Sequence, residues 1–214
     1  MYKTVIFDYD FTLGDSAYGI EISCNYALCK LGFTEKTGIE IRRTIGMSLK
    51  DVFAALTGND DEAAAERFAV LFRERADKIM TDSAVMYGDA LPTLSELRRL
   101  GFGTAIVTSK FHYRIDEILR KFSAENLIDV IIGGDDVTHE KPAPDGLLKA
   151  IEALGTDKRE VLYVGDSLVD AKAAQLAGVD FAAVLTGTTT DFSAYDKVFV
   201  ADDLRGIFRF VTKR

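Results

Sequence analysis

Two carboxylates stand two residues apart, Asp8 and Asp10, directly after the apolar run Thr4 to Phe7, and Thr12, Gly14 and Asp15 follow. The run reads as a buried β-strand. In an open α/β sheet, ligands bind beyond the carboxyl ends of the strands, which puts both acids at the floor of a site. Carboxylates this close repel one another unless a cation or a shared proton lies between them. A hard divalent ion such as Mg2+ suits the place, because it takes oxygen ligands and keeps some of its waters. A carboxylate beside such an ion can also attack phosphorus as a nucleophile. Taken alone the pattern fits a polar turn as well, so its meaning depends on partners further along.

Three later stretches supply candidates. The run Gly103 to Val107 leads into Thr108-Ser109-Lys110, where a hydroxyl and fresh backbone N–H groups at a strand-to-helix junction make either a phosphate cradle or a simple helix cap. After Val130 to Ile132 comes Lys141, followed by Pro142 and Pro144. The two prolines stiffen this entry to a helix and can hold the Lys141 ammonium pointed at phosphate charge. The run Val161 to Val164 ends at Gly165-Asp166, with Asp170 four residues on. Acids at that spacing share one side of a helix and suit a metal, one directly and one through its water shell; a helix cap is the alternative. Negative charge for a metal and positive charge for phosphate thus converge on four strand ends. That combination points to metal-assisted phosphoryl transfer.

The elements that must position these residues follow from periodicity. From Tyr87 onward helices alternate with strands: helix 90–100, strand 103–107, helix 113–122, strand 130–132, helix 145–154, strand 161–164, helix 169–177, strand 181–185, edge strand 197–200 and helix 204–210. Such alternation predicts right-handed crossovers and a parallel sheet that includes the first strand. Residues 16–82 carry no strand pattern. Tyr18, Ile22, Tyr26, Cys29 and Leu31 fall at helical spacing, a short helix ends near Gly46, another runs from Ser48 to Gly58, and a long amphipathic helix spans 60–80. The expected organisation is an α/β core of residues 1–15 and 83–214 interrupted by a helical insertion of residues 16–82, with hinges near 14–17 and 81–88.

The chain has 214 residues, of which 48% are hydrophobic, enough for a proper core. Its net charge of −8 argues against a nucleic-acid backbone as partner. Cys24 and Cys29 point to different sides of a predicted helix, so no disulfide is expected and a reducing, cytoplasmic setting is. The opening residues do not resemble a signal peptide, and no apolar run approaches ~20 residues, so no membrane span is expected. His112 and His139 read as loop or surface histidines, Arg114 as a surface residue, and Tyr18 and Tyr87 as packing.

Taken in order, Asp8-x-Asp10-x-Thr12, Thr108, Lys141-Pro142 and Gly165-Asp166-x-x-x-Asp170 resemble the four motifs of the haloacid dehalogenase superfamily, and the match runs the whole chain. The finer sequence is similar to the branch with phosphoglycolate phosphatase, pyrophosphatase-like members and β-phosphoglucomutase. The resemblance implies a Rossmann-like parallel sheet with helices on both faces and an inserted α-helical cap of the C1 type. It implies a Mg2+-dependent phosphatase for a small phosphorylated metabolite, phosphoglycolate-like or a sugar phosphate, acting through an aspartyl-phosphate as monomer or homodimer. Asp8 is then nucleophile and Asp10 general acid/base. Thr108, Ser109 and Lys141 bind the phosphoryl group. Asp8, Asp10 (through its backbone carbonyl), Asp166 and Asp170 (through waters) attend the metal. The branch also implies alternatives. A phosphomutase would grip a second phosphate with an Arg near Gly46 to Lys50, where none stands, leaving Arg42 or Arg43 as substitutes. Phosphonate cleavage would need a desolvated Lys such as Lys30, Lys36 or Lys50, and pyrophosphate hydrolysis is a third. Phe11 departs from the Gly usual after the second Asp, which leaves the specific substrate open.

Overall fold

The computed structural model describes residues 1–213. In chain order the elements are β1 (Thr4–Phe7), β2 (Gly14–Asp15), α1 (Ala17–Lys30), α2 (Gly38–Arg42), α3 (Leu49–Thr57), α4 (Glu62–Ser83), β3 (Val85–Met86), α5 (Ala90–Arg99), β4 (Gly103–Val107), α6 (His112–Lys121), β5 (Val130–Ile132), α7 (Asp145–Leu154), β6 (Val161–Gly165), α8 (Leu168–Ala177), β7 (Asp180–Val184), β8 (Phe199–Ala201) and α9 (Leu204–Thr212). The chain divides into two compact units, residues 1–15 with 86–214, and residues 16–85.

The first unit is a six-stranded sheet in the order β5-β4-β1-β6-β7-β8. Every pairing is parallel. β1 is entirely buried, as a continuous apolar run between two neighbours should be. Phe7 is in register with Ile106 of β4 and Val164 of β6. The residues that follow these three strands therefore emerge side by side at one edge. One face of the sheet packs Ile6, Val107, Tyr163 and Phe181 against α7 and α8, with Leu147, Ala150, Ala171 and Ala174 filling the space between.

The second unit is helical. Its core centres on Phe53 and Phe68, whose ring centroids are 5.5 Å apart. α2, α3 and α4 start where side chains satisfy their open N–H groups: Thr37 with Glu40 in a capping box, Ser48 on the Asp51 amide, and Asp61 on the Ala64 amide.

Two expectations need correction. The stripe Tyr18, Ile22, Tyr26, Cys29 lies on the wrong side of α1: Tyr18 is 65% exposed, and the buried face is Gly19, Ile20, Ser23, Cys24, Ala27 and Leu28. That face is lined with small residues because α4 passes close. A methyl group added at Gly19 would stand 2.6 Å from the Ser83 hydroxyl and 2.9 Å from the Met80 sulfur. Hydropathy underrates such a face. Second, the long helix runs on to Ser83, and the chain then forms β3, paired with β2 in a small second sheet. The unit boundary accordingly falls after Val85 rather than after residue 82.

Candidate active site

Asp8 leaves β1 with its amide still bonded to the Val164 carbonyl at 2.9 Å, so the first carboxylate is fixed to the sheet itself. The chain then turns sharply: the Phe11 amide donates to the Gly14 carbonyl at 2.7 Å, and the Leu13 amide to the Tyr9 carbonyl at 2.9 Å. Phe11 takes φ of +56° in this turn and is buried. A side chain costs about 1–2 kcal/mol in that conformation, which explains why glycine suits the position.

The sheet brings the expected residues together. Asp8, Asp10, Thr108, Lys141, Asp166 and Asp170 are all buried, none more than 7% exposed. Lys141 lies 3.0 Å from an Asp8 oxygen and 2.6 Å from Asp170 Oδ1. Its Nζ also donates to the Tyr163 hydroxyl at 3.2 Å, and that hydroxyl is 2.8 Å from the same Asp170 oxygen. The other Asp170 oxygen accepts from the Ser167 hydroxyl at 2.6 Å and amide at 3.2 Å, in the capping box that starts α8. Asp170 is thus fully engaged in holding Lys141 and the helix start. Gly165 makes this possible: an added methyl would sit 2.6 Å from the Asp170 carboxyl carbon.

Thr108 is held to β5 by its amide, which donates to the Ile132 carbonyl at 3.1 Å. Ser109 is half-buried, with its carbonyl against Gly134. Lys110 is the residue that spacing did not single out. Its Nζ pairs with Asp10 Oδ2 at 2.7 Å, with both side chains about one-tenth exposed. Its carbonyl accepts from the Gly134 amide at 2.8 Å, tying the loop after β4 to the one after β5. The second Asp10 oxygen is buried and has no hydrogen-bond partner. Tyr163, reached from β6, was equally hidden, since nothing in a buried strand tyrosine announces a site.

Other residues separate from this group. Arg114 is buried rather than on the surface, 2.5 Å from Glu117 and stacked on Tyr113. Three methylenes let such a side chain lie in apolar surroundings while its charge meets a carboxylate. His139 is exposed and bonded to Asp145 at 2.9 Å, and His112 bonds Asp136 at 2.7 Å. Arg42 is committed to Glu21 at 2.8 Å. Lys30 and Lys50 are exposed, and Lys50 pairs with Glu62 at 2.6 Å.

Electrostatics favour an added cation. Four buried carboxylates face two ammonium groups. Burial pushes Asp8 up to about 6; Lys141 opposes this, while Asp170 and Asp10 add to it. Burial, then Asp170 and Asp8, push Asp166 well above the usual carboxylate range. Lys141 is raised: burial disfavours its charge, but Asp170 and Asp8 outweigh that. Oxygens of Asp8, Asp166 and Asp170 lie within 4.8 Å of one another. With both Asp170 oxygens taken, Asp8 and Asp166 are the carboxylates with capacity to spare. An all-oxygen, charge-deficient set fits a hard divalent ion. The Asp10 carboxylate lies outside the cluster, on Lys110.

A model of the haloacid dehalogenase-like hydrolase family matches residues 5–184. A phosphoglycolate phosphatase of Pseudomonas putida is 31% identical over 96% of this chain and 78% of its own length. The pyrophosphatase PpaX of Bacillus pumilus is 32% identical over 85% of this chain and 82% of its own. Among solved structures, a haloacid dehalogenase-like hydrolase from Bacteroides fragilis is 41% identical, covers 95% of this chain and 98% of its own, and superposes with a TM-score of 0.93.

Proposed function

The chain belongs to the haloacid dehalogenase-like hydrolase family, and from that premise we propose that it is a divalent-cation-dependent phosphatase acting on a small, acidic phosphate ester. The observation that carries the reading is the pair at the end of β1: Asp8 held by Lys141 at 3.0 Å, and Asp10 held by Lys110 at 2.7 Å with one oxygen unpartnered. In this reading a carboxylate oxygen of Asp8 attacks phosphorus. The bond to the leaving oxygen breaks, and that oxygen takes a proton from Asp10. A water then gives a proton to Asp10 and attacks the aspartyl-phosphate, releasing phosphate and restoring Asp8. Lys141 and Thr108 hold the phosphoryl oxygens, Ser109 adds its backbone, and Asp170 with Tyr163 keeps Lys141 in place. The cation, Mg2+ by donor type, would be held by Asp8 and Asp166, with the Asp10 carbonyl and waters near Asp170 completing the set. When bound it offsets charge on the phosphoryl oxygens and favours ionised Asp8.

Lys110 bears on the substrate. It is a nearly buried cation beside the proposed proton donor, so an acidic group on the leaving fragment would find a counter-ion there. Phosphoglycolate meets that description and is the substrate proposed. Pyrophosphate meets it too, and the PpaX relatives favour it as the second reading. The helical unit, residues 16–85, is taken as the cap that selects the leaving group.

The test is phosphate release from a panel of small esters and pyrophosphate, with Mg2+ and with EDTA. Release that requires Mg2+, concentrates on esters with a second acidic group and disappears in Asp8→Asn is expected. Unchanged release in Asp8→Asn would refute the reading. Asp10→Asn should cost roughly 10²–10⁴-fold in kcat.

A further inference from the structure

The Thr-rich stretch after β7 has no part in the four motifs, yet it reaches the site. The Thr186 hydroxyl donates to the carbonyl of Phe11, in the turn that carries Asp10. The next residue, Gly187, lies directly on Asp166. A methyl built on Gly187 would overlap an Asp166 oxygen and stand 2.7 Å from its carboxyl carbon and 3.0 Å from its Cβ. Asp166 has little room to yield, being 5% exposed, with Thr12 donating to its other oxygen at 3.4 Å. Two consecutive residues therefore touch both sides of the proposed cation position, the turn after β1 and the tip of β6. The Thr186 bond also engages the one residue in that turn, Phe11, whose φ of +56° suits glycine.

We infer that Thr186-Gly187 is a positioning element for the cation: the hydroxyl fixes the Asp10–Phe11 turn, and the bare glycine backbone sets the placement of the Asp166 carboxylate. This rests on the reading that Asp8 and Asp166 hold a divalent ion. Groups that orient metal ligands from outside typically govern affinity by about 10–100-fold. The glycine acts by leaving space, the threonine by a hydrogen bond, so the two are separable by mutation.

The experiment is calorimetric titration of the full chain with MgCl2 alone, with no substrate and no activity readout, alongside Tm in EDTA. Gly187→Ala is expected to weaken Mg2+ binding by about tenfold or more. Thr186→Val should weaken it severalfold, and Thr186→Ser, which keeps the hydroxyl, should restore it to within about twofold of the unmutated chain, with Tm in EDTA little changed in the two Thr186 variants. Wild-type Mg2+ affinity in Gly187→Ala overturns the inference. Should Gly187→Ala not fold, equal affinities in Thr186→Val and Thr186→Ser overturn it. A chain that binds no Mg2+ at all also overturns it. Failure of the phosphatase reading looks different: Mg2+ binds with the expected variant pattern, but no ester releases phosphate.

Discussion

Lys141 is buried with an anion on either side, Asp8 at 3.0 Å and Asp170 at 2.6 Å. Removing one member of such a group strands the others, at a cost of about 3–5 kcal/mol. Lys141→Met should therefore lower Tm in EDTA and abolish phosphate release, and Lys141→Met with Asp170→Asn should recover part of the stability but not the activity. Denaturant melts of the single and double variants check this. Asp8 gives a pH dependence. Its folded-state pKa of about 6 lies above the ordinary carboxylate value. Between those values the native state holds more protons than the unfolded chain, so stability in EDTA falls as pH rises through 4 to 6. Asp8→Asn should reduce that slope, leaving the part that Asp166, also raised, contributes. Mg2+ should raise Tm more at pH 7.5 than at pH 5. That Asp8, Asp10 and Asp166 come together was legible in the sequence because a strand end fixes where a side chain emerges, and Lys141 joins them from the stiff segment after β5. Lys110 on Asp10 and Tyr163 on Lys141 were not legible, since these contacts depend on rotamers and on neighbours from other strands. Arg114 misled for a related reason: a charged residue on a helix reads as solvated unless its carboxylate partner is seen.

Element positions were the most legible level. The predicted limits of β1, β4, β5 and α7 coincide with those observed, because each is a continuous apolar run or a stripe bounded by Gly, Pro or Asp. For α1 the helix was legible but its buried face was not, because that face is made of small residues whose value lies in close approach. A second close approach occurs where α7 crosses the sheet: a methyl added at Gly146 would stand 2.9 Å from Val107 Cγ1. Val107 immediately precedes Thr108. Gly146→Ala should push the helix and strand apart, costing about 1–3 kcal/mol. It should raise KM for the phosphate ester more than it lowers kcat, because it shifts the loop that cradles the phosphoryl group. Melting curves and steady-state kinetics on one preparation check both parts.

At the scale of the molecule, each unit has its own core, and Asp8, Asp10, Thr108, Lys141, Asp166 and Asp170 all belong to the first. Phe53→Ala, at the centre of the helical core, should cost about 3–5 kcal/mol in that unit. Mg2+ affinity should nevertheless stay within about twofold of the unmutated chain, as the proposed ligands all belong to the other unit and independent sites behave additively. Calorimetric melting combined with Mg2+ titration tests the separation. No described helix is long and apolar enough to cross a membrane.

The order of the sheet has one more consequence, in time rather than space. β1 is made first, yet its neighbours are β4 and β6, and Thr12 meets Asp166 across 154 residues of chain. At about 5–20 residues per second of synthesis, the first strand waits roughly 10–30 s for its last neighbour. Throughout that interval the two leading aspartates belong to a growing chain that cannot yet hold a cation, and a nascent chain halted before β6 should be indifferent to Mg2+.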